Sequence, residues 1–359
     1  MEPKVVVLEK DTSTNHVLDP WALPLLAQWP KVLQVLNGQI PAPAVTEVFI
    51  TNHCDFHCPH CRFKAVHGTQ DDHMSVAEFD SLLEELSTKG VSHLELSGGG
   101  EPLDHPQVDE IFGVIAKRGF RIGLITNGYK LVERPELITD LLPIADWIRF
   151  SVDAFSDPTY SIVHGRKPAQ YARLREMIRS ITGACRRLPA IGVKMLISTL
   201  NKDDALLAAS AALDLGARYL QLKFLGAPLE HVLPGEQISD LSVALVGQLR
   251  TLNRDGLAVE FLPPYAGELT SEPCLMTYLH PIVDWDGTIY ICPFFEHRKS
   301  THSIGNIRVG GFFRWWNDPL HQQVFAGIDP NTCVPNCPMK RYNPVVKFIQ
   351  LEAFHIPYP

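Results

Sequence analysis

The sequence predicts an α/β fold, a partial (β/α)6 barrel of parallel strands followed by a small C-terminal β-hairpin and helix domain. Two observations support this prediction. Between residues 46 and 225, short apolar segments alternate with segments of helical periodicity, which is typical of repeated βα units around a parallel sheet. After Pro263 and Pro264 the pattern changes to a hairpin signal, in which Asp286 and Gly287 supply the turn.

Six strands are expected in the barrel, each followed by a helix. The strand segments are 48–50, 93–96, 121–125, 147–150, 192–197 and 219–224. The first helix has clear boundaries, because Ser75 and Glu78 form a capping box and Gly90 ends the apolar periodicity. The second helix begins near Pro106 and ends at Gly119.

Polar residues occupy every second position of the fourth and sixth strands. In a barrel wrapped by helices the apolar face of each strand points outward, so the polar residues face the lumen. They are Arg149, Ser151, Asp153, Gln221 and Lys223. A lumen of this kind suits a polar ligand, and the alternative is that these groups only hydrogen-bond to each other as interior packing.

The same patterns divide the chain into five segments. We expect an N-terminal extension at 1–45, the barrel at 46–230, a linking helix and strand at 231–265, the hairpin domain at 266–345 and a tail at 346–359.

Composition narrows the cellular setting of the 359-residue chain. Its formal charge of -8 offers no basic surface for nucleic acid. The apolar stretch 5–8 is too short for a signal peptide, and no run reaches the roughly 18 apolar residues of a membrane span. We therefore expect a cytoplasmic protein that does not bind a membrane, whose eight cysteines serve metal binding or catalysis rather than disulfides.

Three cysteines follow the first strand in a C-x3-C-x2-C run, Cys54, Cys58 and Cys61. Their loop lies at the C-terminal edge of the sheet, where α/β enzymes bind ligands. Three thiolates on a four-iron cubane leave one iron open, and that iron can chelate the amino and carboxylate groups of a methionine. A zinc ion with a nearby histidine as fourth ligand is the alternative.

This loop, with Gly99-Gly100-Glu101 one βα unit later, resembles the radical S-adenosylmethionine (SAM) superfamily. The resemblance implies a [4Fe–4S] cluster on the three cysteines with SAM bound to it. Backbone groups of the glycines would hold the methionine ammonium, and Glu101 would lend negative charge. The resemblance also implies SAM contacts from His60, Asn127, Ser151 and Asp153.

A second set of cysteines follows the barrel. Cys274, Cys292, Cys333 and Cys337 are separated by 17, 40 and 3 residues, and the first two flank the expected hairpin. Four thiolates would fully ligate another cubane, although a closed zinc site fits the count as well. The layout resembles the twitch version of SPASM domains, which implies an auxiliary [4Fe–4S] cluster.

The two resemblances imply a radical SAM oxidoreductase, similar to the radical SAM dehydrogenases of aminoglycoside biosynthesis. Such an enzyme cleaves SAM to a 5′-deoxyadenosyl radical, takes hydrogen from a polar small molecule such as a sugar or aminocyclitol, and uses the auxiliary cluster as electron acceptor. A flavodoxin or a ferredoxin-type reductant would supply the first electron. Glu95 and Lys223 are the candidate catalytic residues, and Arg149, Gln221 and Lys223 are the candidate substrate contacts.

Other functions stay open. An epimerase needs a thiol hydrogen donor, and the only cysteine outside the two sets is Cys185, which we expect at the N-terminal face of the barrel. Peptide maturases share the SPASM layout but often carry a leader-binding winged-helix domain, for which about 45 N-terminal residues are too few. The alternative outside enzymes is an iron–sulfur electron carrier.

Overall fold

The computed structural model describes residues 28–63, 72–167, 169–185, 189–226, 229–251, 257–262, 274–295, 298–333, 337, 339 and 342. Ten strands in this part of the chain form one sheet. They are β1 Thr46–Phe49, β2 His93–Ser97, β3 Arg121–Thr126, β4 Ala145–Ser151, β5 Ala190–Ile197, β6 Tyr219–Phe224, β7 Ala258–Leu262, β8 Ile282–Val283, β9 Thr288–Tyr290 and β10 Ser303–Asn306. Their order in the sheet is β10-β9-β8-β1-β2-β3-β4-β5-β6-β7.

Twelve helices are seen in the described residues. They are α1 Trp29–Leu36, α2 Val76–Thr88, α3 Val108–Arg118, α4 Tyr129–Glu133, α5 Leu137–Ile144, α6 Asp157–His164, α7 Gln170–Ala184, α8 Ala208–Asp214, α9 Gly235–Thr251, α10 Lys299–His302, α11 Phe312–Trp316 and α12 Pro319–Ala326. Where the chain is described, no helix combines the length and the apolar character needed to cross a membrane.

Strands β1 to β7 pair in parallel, and this open, mostly parallel sheet confirms the predicted α/β barrel class. All six predicted strands are present. The seventh, β7, lies in the segment expected to link the two parts of the chain. Because β7 and β10 end the sheet, the barrel is partial rather than closed.

The predicted hairpin forms, but its strands extend the barrel sheet. Gly287 supplies the turn at φ 81, and β8 and β9 pair antiparallel. Strand β8 also pairs in parallel with β1, Glu47 opposite Ile282. An edge strand presents unpaired backbone groups, so β8 satisfies the side of β1 that β2 leaves free. The hairpin between Cys274 and Cys292 thereby pairs with the strand that precedes the first cysteine loop.

Buried and half-buried side chains alternate along β4 and along β6, as predicted. Ile148 and Phe150 of β4 are fully buried beneath the helices, whereas Arg149 and Ser151 between them are half-buried on the lumen side. The capping box of α2 is also present, with the Glu78 amide donating to Ser75 Oγ at 3.2 Å. The apolar core therefore lies between sheet and helices, and the polar groups are left for the lumen.

Candidate active site

The first cysteine loop begins where β1 ends, at the C-terminal edge of the sheet. Cys54, Cys58 and Cys61 are all half-buried. Within the loop the Cys61 amide donates to the Cys58 carbonyl at 3.2 Å, and the His57 amide donates to the carbonyl of His164 at 3.0 Å. The loop is therefore held both by its own turn and by α6.

The electrostatics of these thiols fit an iron–sulfur cluster. Burial raises the pKa of the Cys58 thiol well above its ordinary value, and Asp153 and the two other cysteines raise it further. Burial also raises the pKa of Cys54, with Glu101 adding repulsion. Thiolates crowded in this way need a cationic partner, which the irons of a cluster supply.

A histidine that sequence reasoning missed contacts the loop. His164 Nδ1 lies 3.2 Å from Cys58 Sγ, and its Nε2 lies 2.8 Å from the carbonyl oxygen of Val152, to which it donates. The ring is almost fully buried at 2% exposure, so its orientation is fixed. Because His164 follows Cys58 by 106 residues, no spacing pattern could have indicated this contact.

The glycine-rich loop after β2 is bonded directly to the start of the cysteine loop. The Gly100 amide donates to the Thr51 carbonyl at 3.0 Å, and the Glu101 amide donates to the His53 carbonyl at 2.8 Å. A Cβ atom on Gly100 would lie 2.1 Å from the His53 carbonyl oxygen. Only glycine therefore permits this approach, and Gly99 before it is buried in the same loop.

The Glu101 carboxylate organises this loop internally. It accepts hydrogen bonds from Thr126 Oγ1 at 2.6 Å, the Asn127 amide at 2.7 Å and the Leu103 amide at 3.1 Å. Burial raises the pKa of Glu101 to about 8, and Asp104 adds repulsion. Since both oxygens have donors, the side chain connects the loop to β3. The Asn127 Nδ2 group is buried without a partner among the described residues and can donate to a ligand.

Two further predicted SAM contacts, His60 and Asp153, lie next to each other. His60 Nε2 is 3.6 Å from Asp153 Oδ2, and within the described residues His60 Nδ1 has no partner. Asp153 adopts φ 54, an unusual backbone conformation for a residue other than glycine. Its Oδ1 accepts from the Leu196 amide at 2.6 Å, which ties the end of β4 to β5.

Glu95 of β2, a candidate catalytic residue, faces Arg149 of β4, and we call this part of the lumen its floor. It is in register with Glu47 of β1, and its carboxylate is 4.0 Å from the guanidinium of Arg149. Burial raises the pKa of Glu95, and the charge of Glu47 raises it further. The candidate base Glu95 and the candidate substrate contact Arg149 are thus partners of each other.

Two aromatic rings close the floor around this ion pair. Trp147 lies across Gly123 of the neighbouring strand, and Tyr219 lies across Gly192 in the same way. A Cβ atom on either glycine would come within 2.0 Å of the ring. The glycine on β5 is therefore explained by ring packing.

Gln221 and Lys223 face the lumen from β6. Gln221 Nε2 donates to Glu260 of β7 at 2.6 Å, so this amide already has a partner inside the protein. Lys223 Nζ lies 5.5 Å from the centre of the Phe294 ring. Burial and nearby cations, with Lys194 the strongest, together lower the pKa of Lys223 to about 7.

Lys194 on β5 is a lumen residue that sequence reasoning did not identify. It is in register with Ser151 of β4 and with Gln221 of β6. Burial lowers the pKa of Lys194 to about 8, and the charge of Arg149 lowers it further. The alternation of residues along β5 could have identified Lys194 as a lumen residue, because Gly192 and Lys194 lie on the same face of the strand.

The four C-terminal cysteines line one cavity, Cys274, Cys292, Cys333 and Cys337. None of them forms a disulfide. Burial raises the pKa of Cys292 to about 12, and the thiols of Cys337 and Cys333 also repel its charge. Arg298 Nη1 lies 3.9 Å from Cys292 Sγ. Four thiols in a largely apolar cavity fit a fully ligated metal site.

Arg62 joins the two cysteine sites. This residue follows Cys61 directly, and its Nη2 donates to the carbonyl of Pro293, the residue after Cys292, at 2.9 Å. The guanidinium carbon lies 4.6 Å from the centre of the Phe294 ring. Lys223 also lies beside the Phe294 ring, and we call the space between the two cysteine loops that Arg62, Lys223 and Phe294 border the chamber.

Cys185 lies far from this chamber, as predicted. It follows the last residue of α7 and precedes β5, which places it at the N-terminal end of a strand. The cysteine loop leaves β1 at the opposite, C-terminal end.

Comparison with known proteins gives the class of this site. A profile of the Radical SAM superfamily matches residues 48–203, and a profile of SPASM, an iron-sulfur cluster-binding domain, matches residues 274–338. The chain therefore carries a radical SAM domain and a SPASM domain in these two segments. These domains imply the predicted [4Fe–4S] cluster with SAM and auxiliary iron–sulfur binding.

Individual relatives are more distant. The chain is 24% identical over 307 residues to the tungsten-containing aldehyde ferredoxin oxidoreductase cofactor-modifying protein of Pyrococcus furiosus, covering 80% of this chain and 84% of that protein. It is 26% identical to the PqqA peptide cyclase of Ruegeria pomeroyi, covering 63% of this chain and 60% of the cyclase, less than two thirds of it. SuiB of Streptococcus suis, solved with its precursor peptide SuiA, aligns with a TM-score of 0.63 at 13% identity over 89% of this chain and 75% of SuiB. At 13% identity, the similarity to SuiB is a similarity of fold.

Proposed function

We propose that this radical SAM enzyme modifies a peptide. PqqA peptide cyclase and SuiB with its precursor peptide both support a peptide substrate. The structural observation that supports the proposal is the Arg62 to Pro293 hydrogen bond, because it brings the loops of both cysteine sites together at one side chain. A residue of a bound peptide inserted there would face the SAM site and the auxiliary site together.

Each group of the chain has a distinct task in this proposal. When bound, the first cluster and SAM supply a 5′-deoxyadenosyl radical that takes a hydrogen atom from the substrate. The Gly99-Gly100 backbone, Asn127 Nδ2 and His60 Nδ1 would orient SAM, since these two side-chain nitrogens lack partners among the described residues. The aromatic floor and the Arg62 contact would exclude water.

The position of Cys185 favours oxidation or cross-linking over epimerisation. A thiol at the N-terminal face cannot return a hydrogen atom to a substrate at the mouth of the barrel. The remaining seven cysteines are assigned to the two cluster sites.

Oxidation of a polar small molecule, the function expected from the sequence, is the second candidate. Lys223 favours it, because a lumen amine with a pKa of about 7 suits a proton acceptor for a substrate hydroxyl at neutral pH.

One experiment separates the two candidates. The gene for this chain is deleted in its host and replaced by the wild-type sequence or by Cys58→Ala, and the peptide and small-molecule fractions of the cells are compared by mass spectrometry. We expect a peptide whose mass changes only with the wild-type gene. A change confined to the small-molecule fraction would overturn the peptide proposal.

A further inference from the structure

We propose that the chamber between the two cysteine sites binds a carboxylate of the substrate, with Lys223 as its direct contact. This inference rests on the proposed peptide substrate and specifies its chemistry. The peptide would present an aspartate or glutamate side chain, or its C-terminal carboxylate, beside the residue that is modified.

Four basic side chains surround the chamber. Lys194 and Lys223 project from neighbouring strands, Arg149 lies below them on β4, and Arg62 extends from the first cysteine loop. Arg62 and Lys223 lie 4.6 and 5.5 Å from the centre of the same Phe294 ring, so these two cations are close neighbours. The other three cations lower the pKa of Lys223, and the Cys337 thiolate is the nearby anion that raises it. Like charges gathered in a half-buried space are unfavourable unless an anion joins them.

The carboxylates nearby have other partners. Glu95 is 4.0 Å from Arg149, and Glu260 accepts a hydrogen bond from the β6 amide at 2.6 Å. Within the described ranges, no carboxylate lies at ion-pair distance from Lys194 or Lys223. Among the described residues neither lysine has a carboxylate partner, so a carboxylate of a ligand can pair with each of them.

Position distinguishes the two lysines. Lys194 is in register with Ser151, an expected SAM contact, so the carboxylate of SAM is its natural partner. Lys223 is in register with Leu196, one layer nearer the mouth, and faces Phe294 beside the auxiliary site. A second carboxylate, from the substrate, fits at Lys223.

The test uses the unreduced holoenzyme under anaerobic conditions, with saturating SAM in every arm except one SAM-free reference. Trace acetylation with acetic anhydride at pH 8 is followed at each lysine by mass spectrometry. The probes are N-acetylglutamate methylamide and the matched N-acetylglutamine methylamide. We expect the glutamate probe to slow acetylation of Lys223 severalfold and the glutamine probe to leave its rate unchanged. Lys117 on α3 is exposed, and its acetylation reports the dose of reagent.

Two outcomes would overturn the inference. Equal protection by both probes, or none by either, would show that no carboxylate is selected. Complete protection of Lys223 by SAM alone would assign this cation to SAM. The acetylation experiment needs no turnover, so its failure would not change the conclusion from the gene deletion. Failure of the peptide proposal would likewise leave the acetylation result interpretable.

Discussion

Nη2 of Arg62 donates to the carbonyl oxygen of Pro293 at 2.9 Å, and this bond joins the residue after Cys61 to the residue after Cys292. Its guanidinium also lies over Phe294. One side chain thus sets the distance between the loops that carry the two cysteine sites, and with it the shape of the chamber between them.

Replacing Arg62 with glutamine should loosen this connection without removing any metal ligand. Loss of a hydrogen bond from a charged donor costs about 2 kcal/mol, which corresponds to a fall in Tm of roughly 3 °C for a chain of this size. We also expect 5′-deoxyadenosine to form in excess of product, because water can enter the chamber. Calorimetry and product counting measure the two effects.

Arg134→Gln is the matched control. Arg134 pairs with Asp109 and Glu136 on the surface, and exposed ion pairs contribute little to stability. If Arg62→Gln behaves like Arg134→Gln in both measurements, the connection has no functional role.

Gly100→Ala should disrupt the first cysteine loop. A Cβ atom would lie 2.1 Å from the His53 carbonyl oxygen, so the backbone that leads into Cys54 must move. We expect about half of the iron to be lost after reconstitution, because the second site is untouched. Gly113→Ala on α3 is the control, since a Cβ atom there meets nothing within 4 Å and should stabilise the helix by about 0.5–1 kcal/mol. Equal iron contents in the two variants would contradict this account.

The three groups of cysteines should give three different phenotypes. Cys58→Ala should abolish 5′-deoxyadenosine formation, Cys337→Ala should remove about half of the iron, and Cys185→Ala should leave product formation intact. Iron analysis and product assays distinguish them. Loss of product formation in Cys185→Ala would revive the epimerase hypothesis.

Lys194→Met should stabilise the apo-protein in a pH-dependent way. The pKa of Lys194 is lowered to about 8 by burial and by Arg149. Below pH 8 the Lys194 amine is protonated in both the folded and the unfolded state, so the folded state carries the full cost of the buried charge. This cost decreases as pH rises from about 8 and is gone above the ordinary pKa of 10.5. The gain in Tm of Lys194→Met should therefore be largest below pH 8 and shrink between about pH 8 and pH 10.5. Lys117→Met is the control, because Lys117 is exposed and any gain in Tm there should be constant with pH. A gain for Lys194→Met that is also constant with pH would refute the charge argument.

Local sequence patterns predicted much of the barrel and the members of its site. The C-x3-C-x2-C loop and the alternation that placed Arg149 and Gln221 are encoded within a few residues. Contacts between distant segments were not predictable in this way. His164 against Cys58 and Arg62 against Pro293 depend on how far-separated elements pack.

The hairpin shows the same limit. Asp286-Gly287 fixed its turn, but no local pattern states which strand it will join, and β8 pairs with β1 of the barrel. Gly192 is a related case, because only the ring of Tyr219 on the next strand explains the glycine.

Anaerobic reconstitution with iron and sulfide, followed by dithionite reduction in the presence of SAM, tests the central claim most directly. We predict about eight irons per chain, because each of the two cysteine sites would hold a four-iron cluster, and we predict formation of 5′-deoxyadenosine. About four irons with stoichiometric zinc would make the C-terminal site structural. Full iron loading without any 5′-deoxyadenosine would contradict the account of this protein as a radical SAM enzyme.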